Sequence, residues 1–294
     1  MQPTITPCTK KRALVVEGGG MRGVFTAGVL DAFHDKRFRH FDAYYGVSAG
    51  ALNLTSFISG QRGRNLEIYT GLCQNPKFIS LSRFLRGGHL FDLDFFFEKI
   101  NRQHSLDYRR FKQGLASRAF YTVTTCTDTG VPTYLDISED TRQETLTTVL
   151  KASSALPMIY RNAIKVDNKY LMDGSLSDPL PVMKAIEDGY NDIIIIRTRP
   201  VNEHKKASTT GRLLAWQYRS KPVISELIQQ QDSIYNNSID DLHGFNEKEG
   251  ITITQVAPQS PLSSSRNTRD RAKLVADYHL GYTEGYALTE KMAK

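Results

Sequence analysis

The stretch Gly46-Val47-Ser48-Ala49-Gly50 decides how this chain is read. Its pattern, G-x-S-x-G, sets a serine on a sharp strand-to-helix turn with the hydroxyl exposed. Small residues flank Ser48 because a bulky neighbour in so tight a turn would collide with the facing backbone. Upstream, Ala43-Tyr44-Tyr45 has the pattern of a strand end; downstream, Ala49 to Leu54 opens a helix. A helix N-terminus beneath the serine aims free N–H groups and a partial positive charge at a developing oxyanion. The motif also recurs by chance, so its reading leans on two others.

The first is Glu17-Gly18-Gly19-Gly20-Met21-Arg22-Gly23, directly after the apolar run Ala13-Leu14-Val15-Val16. Gly18, Gly20 and Gly23 satisfy G-x-G-x-x-G between a strand and a helix, a dinucleotide-binding fingerprint, and Asp42 follows as a candidate ribose acid. That acid should end a second strand, however, whereas Asp42 precedes the strand leading to Ser48. The other reading is an oxyanion hole, in which consecutive glycines expose backbone N–H groups at a helix N-terminus. A nucleophile turn so soon afterwards favours the oxyanion hole. The second motif is Tyr170-Leu171-Met172-Asp173-Gly174-Ser175, preceded by Ala152-Ser153-Ser154-Ala155-Leu156-Pro157. Asp173, on a tight turn at a strand end, is placed to meet a serine from a neighbouring strand. The plainer reading of Asp-Gly is a surface turn.

Taken in order, these motifs resemble the patatin-like phospholipase family, over roughly residues 12 to 200. The resemblance implies an α/β fold: a central, largely parallel sheet sandwiched by helices in three layers. It implies a Ser–Asp dyad, with Ser48 as nucleophile and Asp173 as its base. It also implies an oxyanion hole from the amides of Gly18, Gly19, Gly20 and Ala49. Arg22, Gly23, Gly46, Gly50, Gly174 and Ser175 complete the motifs. The family usually has Gly or Ala where Ser175 stands; a hydroxyl there can hydrogen-bond Asp173 and alter its basicity. The implied activity is hydrolysis of acyl esters, phospholipids above all, with neither metal nor cofactor required. Two readings from other classes stand beside it: a nucleotide-binding oxidoreductase on the glycine loop, and a catalytically silent lipid-binding protein.

The dyad carries a structural demand. A serine hydroxyl needs an adjacent base, and a solvated aspartate of pKa about 3.9 is a weak one. Asp173 is therefore expected to be shielded from water, which raises its pKa. The rival is a Ser…Asp…His triad using His204, His243 or His279, none of which carries a local signature. His34, His40, His89 and His104 precede Asp173 and fit that order worse.

The 294 residues, 40% hydrophobic, suffice for one large core. We expect a catalytic core over residues 1–200 and a mainly helical extension over 201–294 packed upon it, joined by the polar connector Asn202 to Gly211. In the core, Arg12–Glu17 reads as a strand, and Phe25, Val29, Ala32 and Phe33 form the buried stripe of a helix. Ala119–Thr124 and Thr133–Ile137 flank a turn as a hairpin. Thr141–Ala152 and Pro181–Asp188 read as helices, and Asp192–Thr198 as a strand covered on both faces. In the extension, helical patterns at 212–242 and 268–292 surround a short strand at Ile251–Val256.

No apolar run approaches a membrane span, the longest purely aliphatic one being Ile193–Ile196. Met1–Cys8 lacks the basic-then-apolar pattern of a signal peptide. Cys8, Cys73 and Cys126 are scattered, with no disulfide framework. These features point to a reducing, cytoplasmic setting, with peripheral contact at a membrane surface. The formal net charge of +7 suggests an anionic partner such as phospholipid headgroups or an anionic membrane, or simply a well-solvated surface. No nucleic-acid recognition motif and no D-x-[DN]-x-[DN]-G calcium loop is present. Arg22 either binds a substrate phosphate or pairs with Glu17 or another acid to hold the loop. The aromatic segment Phe78–Phe97, interleaved with Arg83, Arg86 and His89, reads as core or as an acyl-chain surface. In the latter case Arg83, Arg86 and Phe91–Phe97 would form an interfacial rim.

Overall fold

The computed structural model describes residues 10–157, 159–206, 209–245 and 250–293. The first half runs β1 (Arg12–Val16), α1 (Gly23–Asp35), β2 (Ala43–Val47), α2 (Ala49–Ile58), α3 (Arg64–Thr70), α4 (Leu81–Leu85), α5 (Leu93–Gln103), α6 (Tyr108–Leu115), β3 (Ala119–Cys126) and β4 (Pro132–Asp136). It continues through α7 (Gln143–Ser153), β5 (Ile164–Val166), β6 (Lys169–Asp173), α8 (Val182–Glu187), β7 (Asp192–Ile196), α9 (Thr209–Gln217), α10 (Pro222–Phe245), β8 (Thr252–Val256) and α11 (Arg271–Met292). The strands join in one eight-stranded sheet whose neighbours run β5-β6-β3-β2-β1-β7-β8, with β4 also on β3. Strands β3, β2, β1, β7 and β8 are mutually parallel; β4, β5 and β6 pair antiparallel.

Alternation of side chains along each strand builds two cores, one per sheet face. Leu14, Val16, Tyr44, Ile194 and Ile196 point to one face, where α1, α2, α5 and α11 cover them. Ala13, Val15, Tyr45, Ile193 and Ile195 point to the other, against Leu180, Val182 and Ala185 near α8 and Tyr235, Ile239 and Leu242 of α10. The isoleucine run Ile193–Ile196 is fully buried, as its unbroken apolarity requires. This is the three-layer α/β sandwich that the sequence implies, with α10 supplying part of the outer layer. Strand β8 extends the same sheet, pairing parallel with β7 from Asp192↔Thr252 to Ile196↔Val256.

One register decides the site. Strand β3 pairs with β4 along one edge over Tyr121–Thr125. Strand β2 occupies the opposite edge as far as Val47↔Val123, and there the chain leaves the sheet. Strand β6 enters from the other direction on that vacated edge, with Asp173 beside Thr124. The end of β2 and the end of β6 thus meet head to head, and Ser48 follows one as Asp173 ends the other. No described helix is long and apolar enough to cross a membrane. Met1–Cys8, the stretch without a signal-peptide pattern, lies outside the described residues.

Candidate active site

Ser48 sits between β2 and α2 with φ 53° and ψ −123°, a conformation that L-residues avoid. Its backbone N–H donates to Ser153 Oγ at 2.8 Å, and the Ser153 hydroxyl donates to the Val123 carbonyl at 2.6 Å. The end of α7 thereby buckles the turn to β3. Gly46 and Gly50 permit the close approach around it: a Cβ on Gly46 would lie 2.6 Å from Ala51 Cα, and one on Gly50 2.4 Å from the Val16 carbonyl oxygen. The first turn of α2 begins at Ala49, directly after the serine.

Asp173 is 2% exposed, so the shielding expected of a dyad base is present. Burial pushes its carboxyl above the ordinary range, opposed by hydrogen bonds from the Ser175 amide, the Ser48 hydroxyl and the Ser175 hydroxyl, and by the Arg266 charge. The Ser175 N–H contact measures 2.8 Å. The serine that departs from the family pattern therefore bears on Asp173 as its chemistry suggests. The Asp173 backbone is held as well: its N–H donates to Ala155 at 3.1 Å and its carbonyl accepts from Thr125 Oγ1 at 2.8 Å.

The glycine loop stands across from this pair. Gly18 packs against the elbow, where an added Cβ would lie 3.0 Å from Ser48 Cβ. Gly20 has φ 58°, and Gly23 begins α1. Buried Glu17 anchors the loop by accepting from Thr198 N at 2.6 Å, while Thr198 Oγ1 donates to the Gly18 carbonyl at 3.1 Å. Gly18, Gly19, Gly20, Arg22, Ser48, Ala49, Asp173 and Ser175 all line one pocket; Gly46, Gly50 and Gly174 shape its walls from behind.

The remainder of that pocket is largely apolar: Leu52, Ile68, Tyr69, Phe78, Phe91, Phe96, Ile100, Leu156 and Ile159. The aromatic segment is thus core and pocket wall at once, because the rings that face the cavity also pack together, Phe78 against Phe91 at 5.0 Å and against Phe96 at 4.8 Å. Of the expected rim, Phe91, Phe96 and Phe97 are buried and Phe95 is half-buried, while Arg86 is exposed. Arg83 is spent internally, donating to the carbonyls of Lys77, Phe78 and His89, each at 2.8 Å.

Of the triad histidines, neither described side chain lines the Ser48 pocket. His204 pairs with Asp240 at 2.8 Å, His279 is exposed on α11, and the side chain of His243 lies outside the described residues. Arg22 is attracted by the Glu17 carboxylate, while its Nε is buried with no hydrogen-bond partner. Ser153, within the Ala152–Pro157 motif, buckles the elbow, whereas Lys205 and Arg266, which come from the connector and the C-terminal segment to line the pocket, carry no local sequence signal.

The geometry defines an α/β sandwich built around a serine on a strand-to-helix turn, facing a buried aspartate. The comparisons place it more narrowly. A model of the patatin-like phospholipase family matches residues 14–186, and one described as a domain of unknown function, DUF6363, matches 221–294. The chain belongs to the patatin-like phospholipase family. It is 35% identical over 295 residues to the uncharacterized protein YjjU of Escherichia coli K12, covering 95% of this chain and 79% of that protein. A shorter likeness, 30% over 95 residues, is to the uncharacterized protein L620 of Acanthamoeba polyphaga mimivirus, covering 28% of this chain and 26% of that one. Among solved structures, VipD from Legionella pneumophila aligns at TM-score 0.46 and 11% identity, over 97% of this chain and 67% of its own.

Proposed function

We propose that this protein is a serine acyl-ester hydrolase acting on lipid esters, with Ser48 as nucleophile and Asp173 as general base. One observation carries the reading: the hydroxyl of a serine held at positive φ hydrogen-bonds a buried carboxylate whose pKa is raised by desolvation. Asp173 takes the hydroxyl proton as Ser48 Oγ attacks the ester carbonyl. The amides of Gly18, Gly19, Gly20 and Ala49 supply the donors for the tetrahedral oxyanion, aided by the positive end of α2. Collapse expels the alcohol, which leaves with the proton from Asp173. Water, deprotonated by the same carboxylate, then releases the acid from Ser48. The apolar wall suits an acyl chain, and phospholipid is the substrate class that family membership favours. We further propose a catalytic core over 1–200 with 201–294 as a supporting extension, acting in the cytoplasm with peripheral membrane contact.

A fluorophosphonate probe tests this, since only a working nucleophile is labelled. Labelling should map to Ser48 and vanish in Ser48→Ala. Turnover in Ser48→Ala and Asp173→Asn should each fall by on the order of 10⁴ or more, because the pair acts as one unit. An Asp173→Asn protein that keeps more than a few per cent of activity would return the search to a histidine base.

A further inference from the structure

Beside the Ser48 pocket lies a second cavity, and the two share Arg22, Lys205 and Arg266. These cations come from three distant stretches of chain. Arg22 belongs to the glycine loop, Lys205 to the connector after β7, and Arg266 to the segment between β8 and α11. The third stretch is tied to the first, for Met21 N donates to the Arg266 carbonyl at 3.0 Å. Lys205 is held over the Tyr235 ring, its Nζ 4.2 Å from the centroid. Arg22 keeps a buried Nε–H with no acceptor.

Acids offset part of this positive charge: Glu17 and Asp232 attract Lys205 and Arg266, and Glu17 attracts Arg22 as well. Glu17 accepts from Thr198 N, Glu203 is paired with Arg199, and Asp173 is engaged by Ser48 and Ser175; Asp232 borders the second cavity. Burial and mutual repulsion show in the charges themselves. Desolvation, with the charges of Arg266 and Arg199, lowers Lys205 to about 7. Desolvation, with Arg199, lowers Arg22 to about 10. Cations gathered against repulsion in a partly dry cleft are stabilised by an anion that bridges them.

We propose that Arg22, Lys205 and Arg266 form a binding subsite for a phosphate group, next to Ser48, supplied either by a phosphodiester lipid headgroup or by free inorganic phosphate. Donors converging from three directions suit a tetrahedral oxyanion, and guanidinium groups match phosphate oxygens in geometry. The subsite stands whether or not Ser48 turns over; only its assignment to a substrate headgroup rests on the hydrolase reading.

The test is a calorimetric titration of the full Ser48→Ala chain with inorganic phosphate, sn-glycero-3-phosphocholine and acetate. At least one phosphate compound should bind at millimolar or lower concentration, and acetate should not. Preference for the phosphodiester assigns the lipid headgroup, and preference for inorganic phosphate assigns the free anion. Lys205→Gln and Arg266→Gln should each weaken binding by about tenfold or more, with Lys205→Arg retaining it. Should a glutamine variant melt early, phenylglyoxal modification of the unsubstituted chain replaces it: phosphate should protect Arg22 and Arg266. Absence of binding by either phosphate compound, equal binding of acetate, indifference to both substitutions or absence of protection overturns the proposal. Fluorophosphonate labelling reads the nucleophile separately, so failure of one idea does not mimic failure of the other.

Discussion

At Asp173 two demands on one carboxylate oppose each other. Burial favours the protonated form, whereas donors from Ser48 and Ser175 and the Arg266 charge favour the ionised one, and burial prevails. The folded chain therefore keeps this proton to higher pH than the unfolded chain does. Any stability from it is present at acidic pH and is lost as pH rises through the folded-state pKa. Asn at this position is neutral throughout and still accepts from the Ser175 amide. Asp173→Asn should accordingly raise the melting temperature at neutral pH by a few degrees while it abolishes turnover. A melt below that of the unsubstituted protein would mean that the carboxylate is a net stabiliser. The acid limb of the activity profile should likewise lie above the ordinary carboxylate pKa of about 3.9, since the base must be ionised.

Helices α1 and α11 meet backbone to backbone. A Cβ on Gly28 would lie 2.0 Å from the Tyr278 carbonyl oxygen, and one on Gly281 2.0 Å from that of Phe25. The contact is stitched by Asp31, buried on α1, which accepts from Tyr278 Oη at 2.8 Å. Gly281→Ala must push the helices apart, and a loss of about 1–3 kcal/mol is expected by denaturant titration, with the Ser48 pocket intact. The glycine loop presents a different constraint. Gly20 pairs a positive φ with a Cβ position 2.6 Å from the Arg266 carbonyl oxygen. Gly20→Ala should thus lower both turnover and melting temperature, because it strains the loop and displaces the segment that carries Arg266. A variant of normal stability with reduced turnover would isolate an effect on the proposed oxyanion donors.

On the scale of the whole molecule, the charge of +7 and the aromatic segment part company. The buried rings line the pocket, while Leu81 at 64% and Leu85 at 75% exposure are the apolar groups that α4 offers to solvent. Arg83, its side chain 28% exposed, holds the segment together through carbonyl contacts. Arg83→Glu is expected to cut activity equally on anionic vesicles and on a short soluble ester, with an earlier melt. Selective loss on vesicles would restore the interfacial rim.

Much of this molecule is local in origin and was open to reading from the chain. The alternation in β1, the isoleucines of β7, the helical stripe of α1 and the serine turn each follow from short-range spacing. Residues such as Gly46 and Gly50 announce a tight elbow because only small groups fit there. The order of glycine loop, elbow and Asp-Gly turn carried the family with it. What no window of sequence contains is the meeting of β2 and β6 on one edge of β3, which sets Asp173 beside Ser48 and decides how dry that carboxylate is. The same holds for Lys205 and Arg266: they sit in polar stretches without periodicity, and long-range packing alone brings them to the glycine loop. Propensity acts over a few residues, whereas strand register and charge convergence arise between segments far apart in the chain, and only the closed fold specifies them.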